Sequence, residues 1–294
     1  MTSVNANGIT IEYDTFGDKH SPAILLIAGN GAQLFFWDDE FCKRLVNIGF
    51  FVIRFDNRDS GLSTKFCEAE IPDMADINKL YMAGKPIKSS YTLDDMADDC
   101  VGLLDSLKIK KAHICGASMG GMIAQVVAYR HPSRVLSLIS IMSNTGNPKS
   151  KQGNPEALAA VVEAPPTERA WYIEHNIKIW RKIYSPGFKF DENKARIYLE
   201  KSYDRSYYPK GMVCQNLAIL SSGDRTSFLK TIKAPTLIIH GLDDPLIPVE
   251  SGKETAKAIP KAKLLIINGM GHDIPFEIYP QITDAIYNHT KNLQ

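Results

Sequence analysis

Six short, almost unbroken apolar runs recur along this 294-residue chain, and they restrict its fold more than any other feature. They read AILLIAG (23–29), FFVIRFD (50–56), AHICGAS (112–118), VLSLISIMS (135–143), PTLIIHG (235–241) and AKLLIINGMGH (262–272). A short run without polar alternation suits a strand covered on both faces, as in a parallel sheet. ITIEYDTFG, at 9–17, instead alternates apolar and polar residues, the mark of a half-buried antiparallel strand. Helix-period patterns fall between the runs, at 37–48, 91–107, 119–131, 250–258 and 276–291. Strand and helix in alternation predict a mostly parallel, doubly wound α/β sheet.

The alternation stops between Asn144 and Lys230, where aromatic-rich helical patterns follow one another with no strand signal. The economical division is a core first part (1–143), a helical cap (144–230) and a core second part (231–294). Trp171, Tyr172, Trp180 and Tyr184 recur at roughly helical spacing, which reads as cap core with one face available to line an acyl or polyketide pocket. A net charge of +1 gives no electrostatic case for nucleic acid or an anionic membrane as partner. No apolar run approaches the roughly 18 residues that cross a bilayer, and the polar N-terminus lacks a signal-peptide pattern. Five cysteines, an odd count with no CxxC pair, read as incidental thiols of a reduced, cytoplasmic protein. The oligomeric state is not legible.

The stretch AHICGASMGGMIAQVVAYRHP places Ser118 between small residues where a strand pattern gives way to a helix pattern. Gly116-Ala117-Ser118-Met119-Gly120 fits the G-x-S-x-G turn that exposes a serine hydroxyl at a helix N-terminus. The same glycines also suit a packing or phosphate-binding turn, although no lysine follows them as a P-loop requires. A serine hydroxyl is a weak nucleophile without a base and a group that orients the base. IIHGLDDPLIP ends a strand with Asp244, Asp243 competing, and INGMGHDIPFE carries His272 in a glycine-rich loop after the last apolar run. Serine, acid and histidine thus arrive in the chain order of an α/β-hydrolase. The turn in LLIAGNGAQ offers the Asn30 N–H, and the elbow offers that of Met119, as donors to an oxyanion. The Asn30 side chain is a further candidate donor. No HExxH, Cys/His cluster or dinucleotide fingerprint occurs, so neither a metal nor a cofactor is expected.

Together these residues resemble the α/β-hydrolase superfamily, across most of the chain outside 144–230. AGNGAQLFFWDDEFCKRLVNIGFFVIRFDNRDSGLST is similar more narrowly to the aclacinomycin methylesterase group, which carries a turn matched by Asp56, Arg58 and Asp59 ahead of Gly61 and Ser63. The resemblance implies Ser118 as nucleophile, Asp244 as acid, His272 as base, and the Asn30 and Met119 amides as oxyanion donors. It implies a carboxylic ester hydrolase acting on a small-molecule substrate, with methyl esters included. Ala28 departs from the pattern, since many superfamily members have histidine there. The same serine triad also serves cofactor-free haloperoxidases, C–C hydrolases, acyltransferases and slow-turnover ligand receptors of this fold. Ser118 argues against the dehalogenases and epoxide hydrolases, which attack with aspartate.

Overall fold

The computed structural model describes residues 2–66, 74–163 and 166–293. Eight strands form one sheet in the order β1-β2-β4-β3-β5-β6-β7-β8. They are β1 (Thr2–Ala6), β2 (Ile9–Phe16), β3 (Ala23–Ile27), β4 (Phe51–Phe55), β5 (Ala112–Ala117), β6 (Val135–Ile141), β7 (Thr236–Gly241) and β8 (Lys263–Ile267). At one edge β1 pairs with β2 and β2 with β4 in antiparallel fashion, and the pairings from β4 through β3, β5, β6 and β7 to β8 are parallel. Each apolar run is a parallel strand, and the alternating stretch is β2. The hairpin partner β1 is an additional strand whose polar sequence, TSVNA, gives no apolar signal.

The helices are α1 (Asp39–Asn47), α2 (Met74–Met82), α3 (Leu93–Ser106), α4 (Met119–Arg130), α5 (Pro155–Val162), α6 (Arg169–Ile183), α7 (Glu192–Arg205), α8 (Pro209–Ser222), α9 (Thr226–Leu229), α10 (Val249–Ala258) and α11 (Tyr279–Thr290). Five of them, α5 to α9, lie between β6 and β7. Of the remainder, α2 is the one helix without a counterpart among the sequence patterns.

Strand side chains alternate between two cores. Leu25, Ile27, Ile53 and Ile114 pack with α3 and α4, while Ile24, Leu26, Val52 and Cys115 pack with α1 and α11. Burial on both faces explains why these strands read as continuous apolar runs. Asp38 caps α1 by accepting from Phe41 N–H, and Thr92 with Asp95 forms a capping box at α3. These caps set where the two helices begin.

The cysteines are not all incidental thiols. Cys42, Cys100 and Cys115 are buried free thiols, but Cys214 is disulfide-bonded, and Cys67 lies outside the described residues. An odd count without CxxC does not exclude a bond made across the fold, so cysteine usage carries no argument about compartment. No helix among the described residues is long and apolar enough to cross a membrane.

The strand order sets the place of the site. From β3 the chain moves to β4 on one side and later returns as β5 on the other. The loops leaving β3 and β5 therefore part at a topological switch point, where open α/β sheets form a crevice.

Candidate active site

Ser118 stands between β5 and α4 with φ +56° and ψ −121°. That conformation strains a residue with a side chain by on the order of 1–3 kcal/mol. Its surroundings hold it there: Ser118 N–H donates to Ile141 O at 2.9 Å, and Ser118 O accepts from Ser143 Oγ at 2.9 Å. Both glycines of the motif are required by close backbone approach. A Cβ on Gly116 would lie 2.0 Å from Gly120 O, and one on Gly120 would lie 2.1 Å from Ile27 O. The glycine reading as a packing turn and the reading as an exposed hydroxyl are therefore compatible.

His272 follows β8, and its ring lies between the two partners. Nε2 is 3.0 Å from Ser118 Oγ, and Nδ1 is 2.8 Å from Asp244 Oδ2. Because a carboxylate only accepts, Nδ1 carries the proton and Nε2 accepts from the serine hydroxyl. Asp244 is buried, and its Oδ1 accepts the N–H groups of Leu246 and Ile247, both at 2.9 Å. This local turn around Pro245 aims the other oxygen at the histidine. Asp243 is exposed and instead accepts from Gly269 N–H at 2.9 Å. His240 lies 3.6 Å from Asp244, but its Nε2 is bonded to Ile247 O at 2.8 Å, and burial lowers its pKa.

The β3–α1 loop meets the elbow at Gly29, where a Cβ would sit 3.4 Å from Ser118 Cβ. Next to it, Gly31 N–H donates to Gln215 Oε1 at 2.7 Å and Ala32 N–H to Gly29 O at 3.2 Å. The Asn30 N–H makes no hydrogen bond among the described residues. Met119 opens α4, so its N–H has no acceptor within the helix. Both residues adjoin the contact between Gly29 and Ser118, and backbone N–H groups without a partner are the kind of donor an oxyanion requires. The Asn30 side chain donates one Nδ2 proton to Asn216 Oδ1 at 2.8 Å.

The Asp56–Ser63 turn braces that loop from below. Asp56 accepts from Leu34 N–H at 2.7 Å and Leu62 N–H at 2.9 Å, and pairs with Arg205 of α7 at 2.7 Å. Asn57 Nδ2 donates to Ala28 O at 3.1 Å and Ser60 Oγ to Ala32 O at 2.7 Å. Arg58 is buried and forked onto Asp99, with contacts of 2.6 and 2.7 Å. Sequence reasoning missed the roof contacts Gln215, Asn216 and Arg205, which lie 150 or more positions along the chain from the loop they hold. Ser185 and Asp273 were missed as well.

Over Ser118 and His272 lies a cavity of about 1120 Å³, walled by residues including Phe35, Tyr172, Trp180, Tyr198, Met212 and Ile219. Tyr172 and Trp180 also pack on the small core formed by Ile173, Ile177 and Leu199. Trp171 departs from the expected cluster, being 69% exposed on the outer face of α6. The pattern counted it with its neighbours, but its position on the helix turns it outward.

A family model described as the alpha/beta hydrolase fold matches residues 22–278. Rhodomycin D methylesterase DnrP of Streptomyces peucetius is 27% identical, with 96% of this chain and 95% of that protein covered. Rhodomycin D methylesterase DauP of Streptomyces sp. (strain C5) is 26% identical, with 98% and 97% covered. Among solved structures, a meta-cleavage product hydrolase from Pseudomonas fluorescens IP01 (CumD) superposes with a TM-score of 0.79 at 21% identity, covering 100% of this chain and 98% of that one. That identity speaks to the fold alone. With the family model spanning both the elbow and the histidine loop, the chain belongs to the alpha/beta hydrolase fold family.

Proposed function

We propose that this protein is a carboxylic ester hydrolase that works through an acyl-enzyme, with Ser118 as nucleophile, His272 as base and Asp244 as the orienting acid. The relay of 3.0 Å from Ser118 Oγ to His272 Nε2 and 2.8 Å from Nδ1 to Asp244 carries this reading. Ser118 Oγ attacks the ester carbonyl while its proton passes to His272 Nε2. The carbonyl oxygen becomes an oxyanion held by the Asn30 and Met119 N–H groups. Collapse expels the alcohol, which takes the proton from His272. A water then repeats the sequence on the acyl-enzyme, releasing the acid and restoring the serine.

Residues 144–230 act in this reading as a cap. Its aromatic inner face suits a compact apolar acyl group, since each Å² of apolar surface covered contributes roughly 25 cal/mol. The names of the rhodomycin D methylesterase relatives favour methyl esters among such substrates, and the aromatic cavity wall suits a polycyclic acid component.

A serine-directed organophosphate should add once, at Ser118. Ser118→Ala should remain folded and lose about 10⁴-fold or more in ester turnover. Across acetate, butyrate, octanoate, palmitate and an aromatic methyl ester, kcat/KM should peak at the compact apolar members. Labelling elsewhere, or an active alanine variant, would sink the mechanism. An optimum at acetate or at emulsified palmitate would sink the enclosed-pocket reading while leaving the triad in place.

A further inference from the structure

His272 is not placed by the sheet. β8 ends at Ile267, and the intervening residues include Gly269 and Gly271. Asp244 fixes one edge of the imidazole, yet the backbone that carries the ring needs its own support. That support comes from the segment that ends α6 and leads into α7. His272 N–H donates to Ile183 O at 2.8 Å, and Gly187 N–H donates to Gly269 O at 2.9 Å. Gly271 N–H donates to Ser185 Oγ at 2.8 Å, and Ser185 Oγ donates in turn to Asp273 Oδ1.

The direction of this chain is fixed by proton count. A serine hydroxyl has one proton and two lone pairs, so Ser185 accepts from Gly271 and gives its proton to Asp273. The residues on both sides of His272 are therefore tied to one hydroxyl. Ser185 is fully buried, so no bulk water replaces those bonds. The segments also touch closely, with a Cβ on Gly271 falling 2.5 Å from Tyr184 O. Burial pushes the Asp273 carboxyl up to about 6, and the hydrogen bonds from Ser185 act against that rise.

We propose that Ser185 is a positioning residue for the histidine, tying Gly271 and Asp273 to the helical insertion so that the His272 imidazole stays in line between Asp244 and Ser118. It touches neither the serine nor the reacting carbonyl. Its effect runs through geometry, where a displacement of about 1 Å costs on the order of 100-fold in rate. The inference rests on the esterase reading for its kinetic test but not for its spectroscopic one.

Three observables on the full chain decide it. In Ser185→Ala, kcat on an aromatic methyl ester should fall about 10- to 100-fold with KM changed less than about threefold. Organophosphate labelling of Ser118 should slow by the same factor. The downfield proton resonance of His272 Nδ1–H, assigned by its loss in Asp244→Asn, should broaden or vanish. Asp273→Asn keeps an oxygen that accepts from Ser185 and should stay within about threefold of the parent on all three. A Ser185→Ala protein that keeps the resonance and the labelling rate overturns the proposal. An Asp273→Asn protein as damaged as Ser185→Ala overturns it too, because the charge of Asp273 would then be the acting feature. If the parent labels at Ser118 and shows the resonance but cleaves no ester, the esterase reading fails and the positioning test still stands.

Discussion

Ser118 and Ser185 are both serines held by backbone partners, yet they belong to differently built halves of the site. Around Ser118 the constraints are local: strand β5, helix α4, two glycines in van der Waals contact with backbone, and the neighbouring strand ends. Around Ser185 they are remote, with its hydroxyl bonded to Gly271, 86 positions away along the chain. Each floor residue is set by the turn that follows its own strand, and the roof by side chains that meet only after the chain has returned. The same contrast recurs at the β3–α1 loop, whose turn is local but whose brace comes from Gln215 and Arg205. The floor therefore sets the chemistry that is available, and the roof sets how well it is held.

The comparison is tested most strongly at the floor. Asp244→Asn should cost about 10⁴-fold in turnover, because the imidazole loses the acceptor that fixes its tautomer and stabilises its cation. Asp243→Asn should stay within about tenfold, since that exposed side chain only accepts from Gly269 N–H. Steady-state kinetics on one ester compares both variants. A reversed ranking would move the acid to Asp243 and break the claim that local turn geometry selects it.

This difference also explains what the sequence disclosed. The parallel strands were legible because burial on both faces leaves no room for polar residues, and Ser118, Asp244 and His272 because each follows a strand end. The turn at Asn30 was legible through its glycine neighbours, but not the bond from its side chain to Asn216. Strand β1 was hidden because an edge strand open to solvent needs no apolar residues. Arg205, Gln215 and Ser185 carry no local mark at all. A charged or polar residue on a helix or in a connecting segment normally faces water, and only the folded roof reveals that these face a loop.

A smaller effect is expected where roof and floor share a charge. Arg205 places its guanidinium on Asp56, a fully buried carboxylate, and also donates to Gln33 Oε1 at 2.6 Å. Removing one partner of a buried pair leaves the other charge uncompensated, at a cost of about 3–5 kcal/mol. Leu34 and Leu62 N–H groups still donate to Asp56, so Arg205→Met should fall near the lower end, about 3 kcal/mol. Chemical denaturation of the parent and the variant at neutral pH measures it. A loss below about 1 kcal/mol would show that the two amides alone satisfy Asp56, and that α7 rests on the floor without holding it.

The smallest expected effect concerns pH. Burial raises the Asp273 carboxyl to about 6, against about 3.9 in an unfolded chain. Between those values the native state holds more protons than the unfolded state, so by linkage stability falls as pH rises through the window. The contribution is fully favourable below about pH 4 and is lost by the time pH has passed about 6. Two pKa units correspond to about 3 kcal/mol, and partial exposure of the side chain brings the expected change to roughly 1–2 kcal/mol. Asp273→Asn removes the ionisation, so its stability relative to the parent should improve steadily from pH 4 to pH 7. The curve should flatten above that. Urea midpoints at unit steps of pH give the difference directly. Parallel curves would mean that Asp273 is solvated like a surface carboxylate, and that the roof does not seal the histidine loop from water at Ser185.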